Sequence, residues 1–399
     1  METKMNSMLS RRPDQAIIIR DIHRLTEEGW VYCSGLTIIN ESIAALSVSQ
    51  PDLPADQITY IDGQGSYLLP GIIDVHGDAF ERHITPRAGT ELPLDLAIAA
   101  NDHSLIGAGI TSFFYSITDG FEPGPRSRET VRELLNEIEL LCPRLRCNSF
   151  IHIRHESVNT EGHEELQQWM RDRRIQLLSL NDHLPDLQNP GKVERYLAGL
   201  QRRVKMTEQE SLHFLEQLQT RRLLGEQQVS ELVSLAHEIG IPLASHDDAT
   251  LEDVERSHQR AVSICEFPMT MVCAHEARRL GCHVVMGSPN LVRGGSHVGG
   301  VSVAEAIKND AVDILCSDYH YPSLLRAPFL LHRNQGMPLE QAWQLVSYNP
   351  AKAVGMAHRK GLIESGYDAD LLIMDALDGS PLSIRQVICN GRIALSRDR

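Results

Sequence analysis

Residues 68–80 read Leu-Leu-Pro-Gly-Ile-Ile-Asp-Val-His-Gly-Asp-Ala-Phe. Pro70-Gly71 breaks whatever precedes it, and the apolar run that follows reads as a buried strand ending in His76 and Asp78. Residues two apart in a strand point to the same face. Two ligand-type side chains therefore leave one strand end toward a common point, which is the beginning of a metal site. The other ligands must come from elsewhere in the chain.

They recur at intervals suited to a βα-repeat barrel. Phe150-Ile-His-Ile-Arg-His-Glu156 ends in Glu156, and Ile175-Gln-Leu-Leu-Ser-Leu-Asn-Asp-His183 ends in His183. Ile241-Pro-Leu-Ala-Ser-His246 ends in His246, and Ala311-Val-Asp-Ile-Leu-Cys-Ser-Asp318 ends in Asp318. A lone histidine at a strand end is more often a satisfied core or surface group than a ligand. Several strand ends that agree in ligand chemistry and follow one another in order reverse that preference. A (β/α)8 barrel presents its chemistry at the C-terminal ends of its strands in this way.

The chain of 399 residues is long enough for such a barrel plus an accessory domain. Short strand-like runs occupy residues 16–66, and another set closes the chain around Ala369–Asp375 and Arg385–Leu395. Neither set buries both of its faces alone, so the two are expected to pair into one small β-sandwich. The fold expected is α/β, a distorted barrel over residues 67–357 with a sandwich from residues 1–66 and 358–399. Helices are read at Thr130–Leu141 and Gln227–Gly240, with Gly240 as a C-cap. Residues 184–226, placed after the fifth strand, form a polar insertion; it reads as a solvated helical pair or as a lid carrying Arg202, Arg203 or Lys205.

A net charge of −15 argues against a nonspecific nucleic-acid or membrane surface. The eight cysteines are scattered without CxxC pairs, as expected of reduced, mostly buried thiols in a cytoplasmic protein. Residues 1–15 hold no apolar segment of the export type, and no run approaches a membrane span. A homodimer is the assembly expected.

Imidazole and carboxylate donors together suit Zn²⁺, Mn²⁺ or Fe²⁺. His76, Asp78, Glu156, His183, His246 and Asp318 are more donors than one open tetrahedral site uses, so two divalent ions are expected. No lysine lies between Lys4 and Lys192, which excludes a carboxylated lysine bridge from the early strands and leaves Glu156 to bridge. His76, Asp78 and Asp318 are assigned to one ion and His183 and His246 to the other. Asp318 is the candidate catalytic base. His155 should face away from Glu156 and is read as structural, with His152 as a spare ligand.

A second constellation is Met286-Gly-Ser-Pro-Asn-Leu-Val-Arg-Gly-Gly-Ser-His-Val-Gly-Gly300. Glycines after Arg293 let backbone N–H groups approach an anion, and Arg293 adds a forked donor. On the loop after strand seven, before a helix near Val303, this reads as a phosphate cradle. Asn290, Arg293, Gly294, Gly295 and Ser296, with Arg87 and Arg154, are the candidate substrate contacts, and Arg82 adds charge nearby.

These residues together resemble the amidohydrolase superfamily, and within it the diphosphatases of phosphonate catabolism that act on a ribose 5-triphosphate. The resemblance covers nearly the whole chain. It rests on His-x-Asp at 76–78 in place of the superfamily's usual His-x-His, and on Thr85-Pro86-Arg87, Arg154, Glu156 and Asp182-His183. It continues through Ala244-Ser-His-Asp-Asp-Ala-Thr250, Glu266-Phe-Pro-Met-Thr270, the 286–300 loop and Ser317-Asp-Tyr319. It implies hydrolysis at the α-phosphorus of a phosphorylated sugar, releasing pyrophosphate. Ala79, Glu81-Arg82-His83 and His320 depart from the pattern beside the metal motif, so a different phosphorylated sugar, or an amide or ureide, stays open as substrate.

Overall fold

The computed structural model describes residues 15–87, 89–122, 126–203, 206–295 and 301–397, and the side chains at 202 and 203 are outside that description. The side chains of Arg202 and Arg203, and Lys205 and Ser296 altogether, therefore lie outside the described residues.

The chain begins with β1 (Ala16–Thr26), β2 (Gly29–Ile39), β3 (Ser42–Ala45) and β4 (Ile58–Pro70). The barrel strands follow: β5 (Ile72–Gly77), β6 (Ile110–Asp119), β7 (Asn148–Glu156) and β8 (Leu177–Asn181). After them come β9 (Leu243–His246), β10 (Ile264–Glu266), β11 (His283–Gly287) and β12 (Ile314–Cys316). The chain closes with β13 (Leu371–Met374), β14 (Ile384–Cys389) and β15 (Arg392–Ser396).

β5 to β12 lie in chain order in one eight-stranded sheet whose neighbours pair in parallel. Helices cover the outer face of such a sheet and side chains fill its interior, so its strands are apolar on both faces. β6 shows this: each of its residues is buried. Between β12 and β5 a single bridge, Gly77 to Asp318, brings the ends of the sheet together. Asp318 N donates to His76 O at 3.0 Å and Asp78 N donates to Asp318 O at 3.0 Å. The closing seam of the barrel therefore runs through the His76–Asp78 motif itself.

The two chain ends pair as expected, in one continuous sheet of order β15-β14-β13-β4-β1-β2-β3. They join where β13 lies antiparallel to β4, with Leu371 opposite Pro70 and Ile373 opposite Leu68. Strand alternation then divides the side chains between two cores. Leu68, Leu371 and Ile373 join Ile19 and Ile38 in the sheet's own cluster, while Leu69, Leu372 and Met374 enter the barrel's.

The helix Arg222–Ile239 ends at Gly240 in the left-handed conformation (φ 71°), as its glycine predicts. The insertion forms two helices, Pro190–Arg203 and Glu208–Thr220. Leu197, Leu215 and Leu218 pack there against Val158 and Leu184. It follows the fourth barrel strand, not the fifth, because β8 is preceded in the eight-stranded sheet by β5, β6 and β7 alone.

Candidate active site

The strand ends place the predicted ligands on one rim of the barrel. His76 is the last residue but one of the buried strand β5, Glu156 ends β7, His183 follows β8 by two residues and His246 ends β9. The His246 ring lies 5.5 Å from that of His76 and 5.3 Å from that of His183, centroid to centroid. Asp318 is drawn in by the seam. Asp247, Phe267 and Asp318, each just beyond a strand on this rim, have φ of 58°, 53° and 53°. Left-handed backbone at non-glycine residues is costly and tends to persist where a site demands it.

Two carboxylates not assigned from sequence complete the cluster. Glu266, at the end of β10, is fully buried and its Oε1 lies 2.8 Å from His76 Nδ1. Asp247 reaches His183 Nε2 at 3.7 Å and His246 Nδ1 at 3.4 Å. Both residues lie in motifs already singled out, and the positions after β9 and β10 were the available signal. Local hydrogen bonds fix these turns: Ser245 Oγ donates to Asp248 Oδ2 at 2.6 Å, and Thr250 caps the helix Leu251–Gln259 in a capping box with Asp253. Thr270 caps the helix Met271–Arg279, its side chain accepting from Cys273 N.

His76, His246 and Glu266 form one compact donor group, and His183, His246 and Asp247 form another. Glu156, Asp78 and Asp318 surround these groups without belonging to either. Burial opposes charge on the Glu156 carboxylate, but the His183 imidazolium at 2.5 Å overrides it and the pKa falls to about 2. Glu156 in turn lifts His183 to about 10. Burial and the neighbouring Asp78 push Asp318 up to about 7. Burial, with Arg154 nearby, holds the His76 imidazole well below its usual range. Neutral His76 then donates from Nδ1 to Glu266, which leaves the Nε2 lone pair for a ligand.

The donor set fits a divalent ion of the zinc, manganese or iron class: imidazole nitrogens and carboxylate oxygens, with no thiolate among them. Buried polar atoms without a hydrogen-bond partner among the described residues also collect here, at His152 Nε2, Arg154 Nε and Ser317 Oγ. His152 is 3.9 Å from Glu266 through that nitrogen, while its Nδ1 lies near Ser116 Oγ and Val75 O. His155 turns the other way, to Asp119 at 2.7 Å, where Arg128 also pairs.

Arg154 stands inside the ring. Its guanidinium is 3.0 Å from His246 Nε2 and 3.9 Å from Asp78 Oδ2. Beside it opens a cleft of about 330 Å³ lined by Arg126, Arg154, Arg195, Glu156, His183 and Asp247 among others. The insertion thus reaches the site through Arg195, on the helix Pro190–Arg203. Across the seam, Arg293 donates to the Tyr319 hydroxyl at 3.3 Å, and Arg82 lies over the Tyr319 ring. Arg87 is an exposed side chain in the 85–90 turn. Ser288–Arg293 is a short helix, and the amides of Gly294 and Gly295 donate to Leu291 O and Asn290 O. Those two amides cap the helix, which corrects the expectation that they are free for an anion. The Asn290 Oδ1 is buried without a partner among the described residues.

The Amidohydrolase family profile matches residues 67–394. The chain is 33% identical over 368 residues to the alpha-D-ribose 1-methylphosphonate 5-triphosphate diphosphatase of Escherichia coli K12, covering 91% of this chain and 96% of that protein. Among solved structures, N-isopropylammelide isopropylaminohydrolase from Burkholderia multivorans superposes with a TM-score of 0.63 at 17% identity, over 95% of this chain and 98% of its own. Dihydropyrimidinase from Brevibacillus agri does so with a TM-score of 0.58 at 14% identity, over 96% of this chain and 95% of its own. These two likenesses concern the fold.

Proposed function

We propose, because this chain belongs to the amidohydrolase family and is a hydrolase, that it cleaves the α–β phosphoanhydride of a ribose 5-triphosphate. The substrate is α-D-ribose 1-methylphosphonate 5-triphosphate or a close analogue, and the products are the 5-phosphate and pyrophosphate. The observation that carries this reading is the juxtaposition of a mixed imidazole–carboxylate cluster with arginines on two sides of it. An uncharged amide needs no such concentration of forked cations, whereas a polyphosphate does. The 33% identity with the diphosphatase supports the same substrate class.

Up to two divalent ions would be held at the cluster, one by His76 and Glu266 and one by His183 and Asp247, with His246, common to both donor groups, serving one of them and Glu156, Asp78 and Asp318 adjoining. Ions bound there would supply Lewis acidity at phosphorus and a water of lowered pKa. Asp318, drawn to the cluster by the closing seam of the barrel, takes the proton of that water and returns it toward the leaving oxygen. Arg154 faces the charge that develops on the phosphoryl oxygens. Arg293, held by Tyr319, grips the phosphate chain beyond the cleaved bond.

Hydrolysis in isotopically labelled water tests the reading. Attack at the α-phosphorus places the heavy oxygen in the sugar 5-phosphate, and chelation abolishes turnover. Label in pyrophosphate, or release of labelled inorganic phosphate, overturns the orientation. Hydrolysis of ureides in preference to any triphosphate overturns the substrate class.

A further inference from the structure

The cleft beside the cluster holds more arginines than the bond-breaking step uses, alongside the carboxylates of Glu122, Glu156 and Asp247. Arg126 and Arg195 come from separate elements, one just before the helix Arg128–Leu141 and one from the insertion helix Pro190–Arg203, yet both line the same cavity as Arg154. In a chain of net charge −15, such convergence is a local arrangement, not an overflow of general basicity. A guanidinium carries five N–H donors in a fixed fork. Arg126 places Nη2 on Glu81 Oε2 at 3.0 Å, and Arg195 places Nε on the backbone oxygen of Gly191 at 3.1 Å. Each contact engages one nitrogen of its fork. Tyr196 and Gly199 on the same helix, with Phe121 opposite, give the cleft an apolar wall. A volume of about 330 Å³ is at the small end for ligand sites. It suits a pentose bearing one anionic group better than an extended phosphate chain.

A second cationic group, Arg293 and Arg82 around Tyr319, lies on the residues that follow β11, β5 and β12. Arginines thus flank the ligand cluster from two directions. A substrate cleaved at its α-phosphorus must place that atom at the cluster, with the rest of the phosphate chain on one side and the sugar on the other. The substrate class proposed above carries charge on both: the triphosphate at C5 and a phosphonate at C1.

We propose that Arg126 and Arg195 form a subsite for the phosph(on)ate on the anomeric carbon, making the insertion helix the element that selects a doubly anionic sugar. This rests on the diphosphatase reading. The two arginines are specificity-determining residues that bind the end of the substrate remote from the reaction.

The test uses Arg195→Gln, since Arg195 is exposed and its loss leaves the core intact, with Arg126→Gln as a second variant. Activity is compared on α-D-ribose 1-methylphosphonate 5-triphosphate and on D-ribose 5-triphosphate. The ratio of kcat/KM between these substrates should fall by about 30- to 300-fold, chiefly through KM, as expected for removal of a charge-assisted contact, and Arg195→Lys should restore part of it. Equal losses on both substrates would assign the arginines to the polyphosphate and overturn the proposal, as would an unchanged ratio. Calorimetry separates this from failure of the diphosphatase reading, because it needs no turnover. α-D-ribose 1-methylphosphonate 5-phosphate should bind the wild type at least about tenfold more tightly than D-ribose 5-phosphate, and the preference should vanish in Arg195→Gln. No preference in the wild type overturns the subsite whatever the enzyme hydrolyses.

Discussion

Glu266 is a carboxylate without solvent, and its hydrogen bond to His76 gives it a role that its position in the sequence did not announce. Holding Nδ1 of that imidazole fixes ring orientation and tautomer and raises the basicity of Nε2, as carboxylate–histidine pairs do around metals. Glu266→Gln should therefore weaken metal binding by about 10- to 100-fold, measured by competition with a chromogenic chelator, in a protein of unchanged circular dichroism. Unaltered affinity would remove Glu266 from the site. Asp318→Asn tests the proton acceptor. It should lower kcat by about 10² or more while keeping its metal, because the amide cannot accept a proton. A kcat near wild type would pass the role to a neighbour such as Asp247.

At the scale of elements, the rim was legible and its closing details were not. Period-two spacing in His76-Gly-Asp78 and single ligand-type residues ending β7 and β9 are local signals; Glu156 and His246 end their strands, while Asp78 falls one residue past the end of β5. Asp247 and Glu266 gave a weaker signal, a carboxylate just past one strand and at the end of another. One reaches the cluster through a left-handed turn that breaks strand alternation, and the other ends a strand of only three residues. In the 286–300 loop the amides of Gly294 and Gly295 differ from their expected role for a related reason. Gly294 and Gly295 read alike as flexible cradle residues or as a helix C-cap until Ser288–Arg293 is known to be helical. Between the elements, Lys360 is a buried cation paired with Asp368 and Asp370, and Asp370 also accepts from Asn148 of β7 and from the Asn390 amide. Burial opposes the Lys360 charge, but Asp370 and Asp368 overcome it and raise the pKa above its ordinary value of 10.5. The stability gained is fully present below that ordinary value and is lost as pH rises through the higher folded value. Lys360→Met should destabilise the protein by about 3–5 kcal/mol by stranding the carboxylates, read from urea unfolding near pH 7. Its deficit relative to wild type should narrow above about pH 10.5. A constant deficit across that range would mean that the ammonium charge is not what matters.

The whole molecule is organised by a sheet whose halves lie at opposite ends of the chain. β4 pairs with β13, and the entire barrel is encoded between them. The described residues contain no helix long and apolar enough to cross a membrane, and the apolar faces of this sheet are covered from within the protein. Leu372, Met374 and Val387 from the last strands seal the barrel core, while Leu371, Ile373 and Ile388 seal the sheet's own. A chain cut before Leu371 should bind a hydrophobic dye strongly and sediment as aggregate. Adding residues 371–397 as a separate peptide during refolding should recover soluble protein. A monodisperse truncated chain with cooperative unfolding would show that the last strands are dispensable.

That pairing sets a timetable for biosynthesis. On the ribosome, β4 emerges with the edge destined for β13 still bare, and about 300 residues must be added before its partner exists, roughly 15–60 s at ordinary elongation rates. An unpaired, apolar strand edge is a template for association with other chains throughout that wait. Slower elongation lengthens that wait and should lower the yield of soluble protein, and a chaperone that shields the bare edge should restore it.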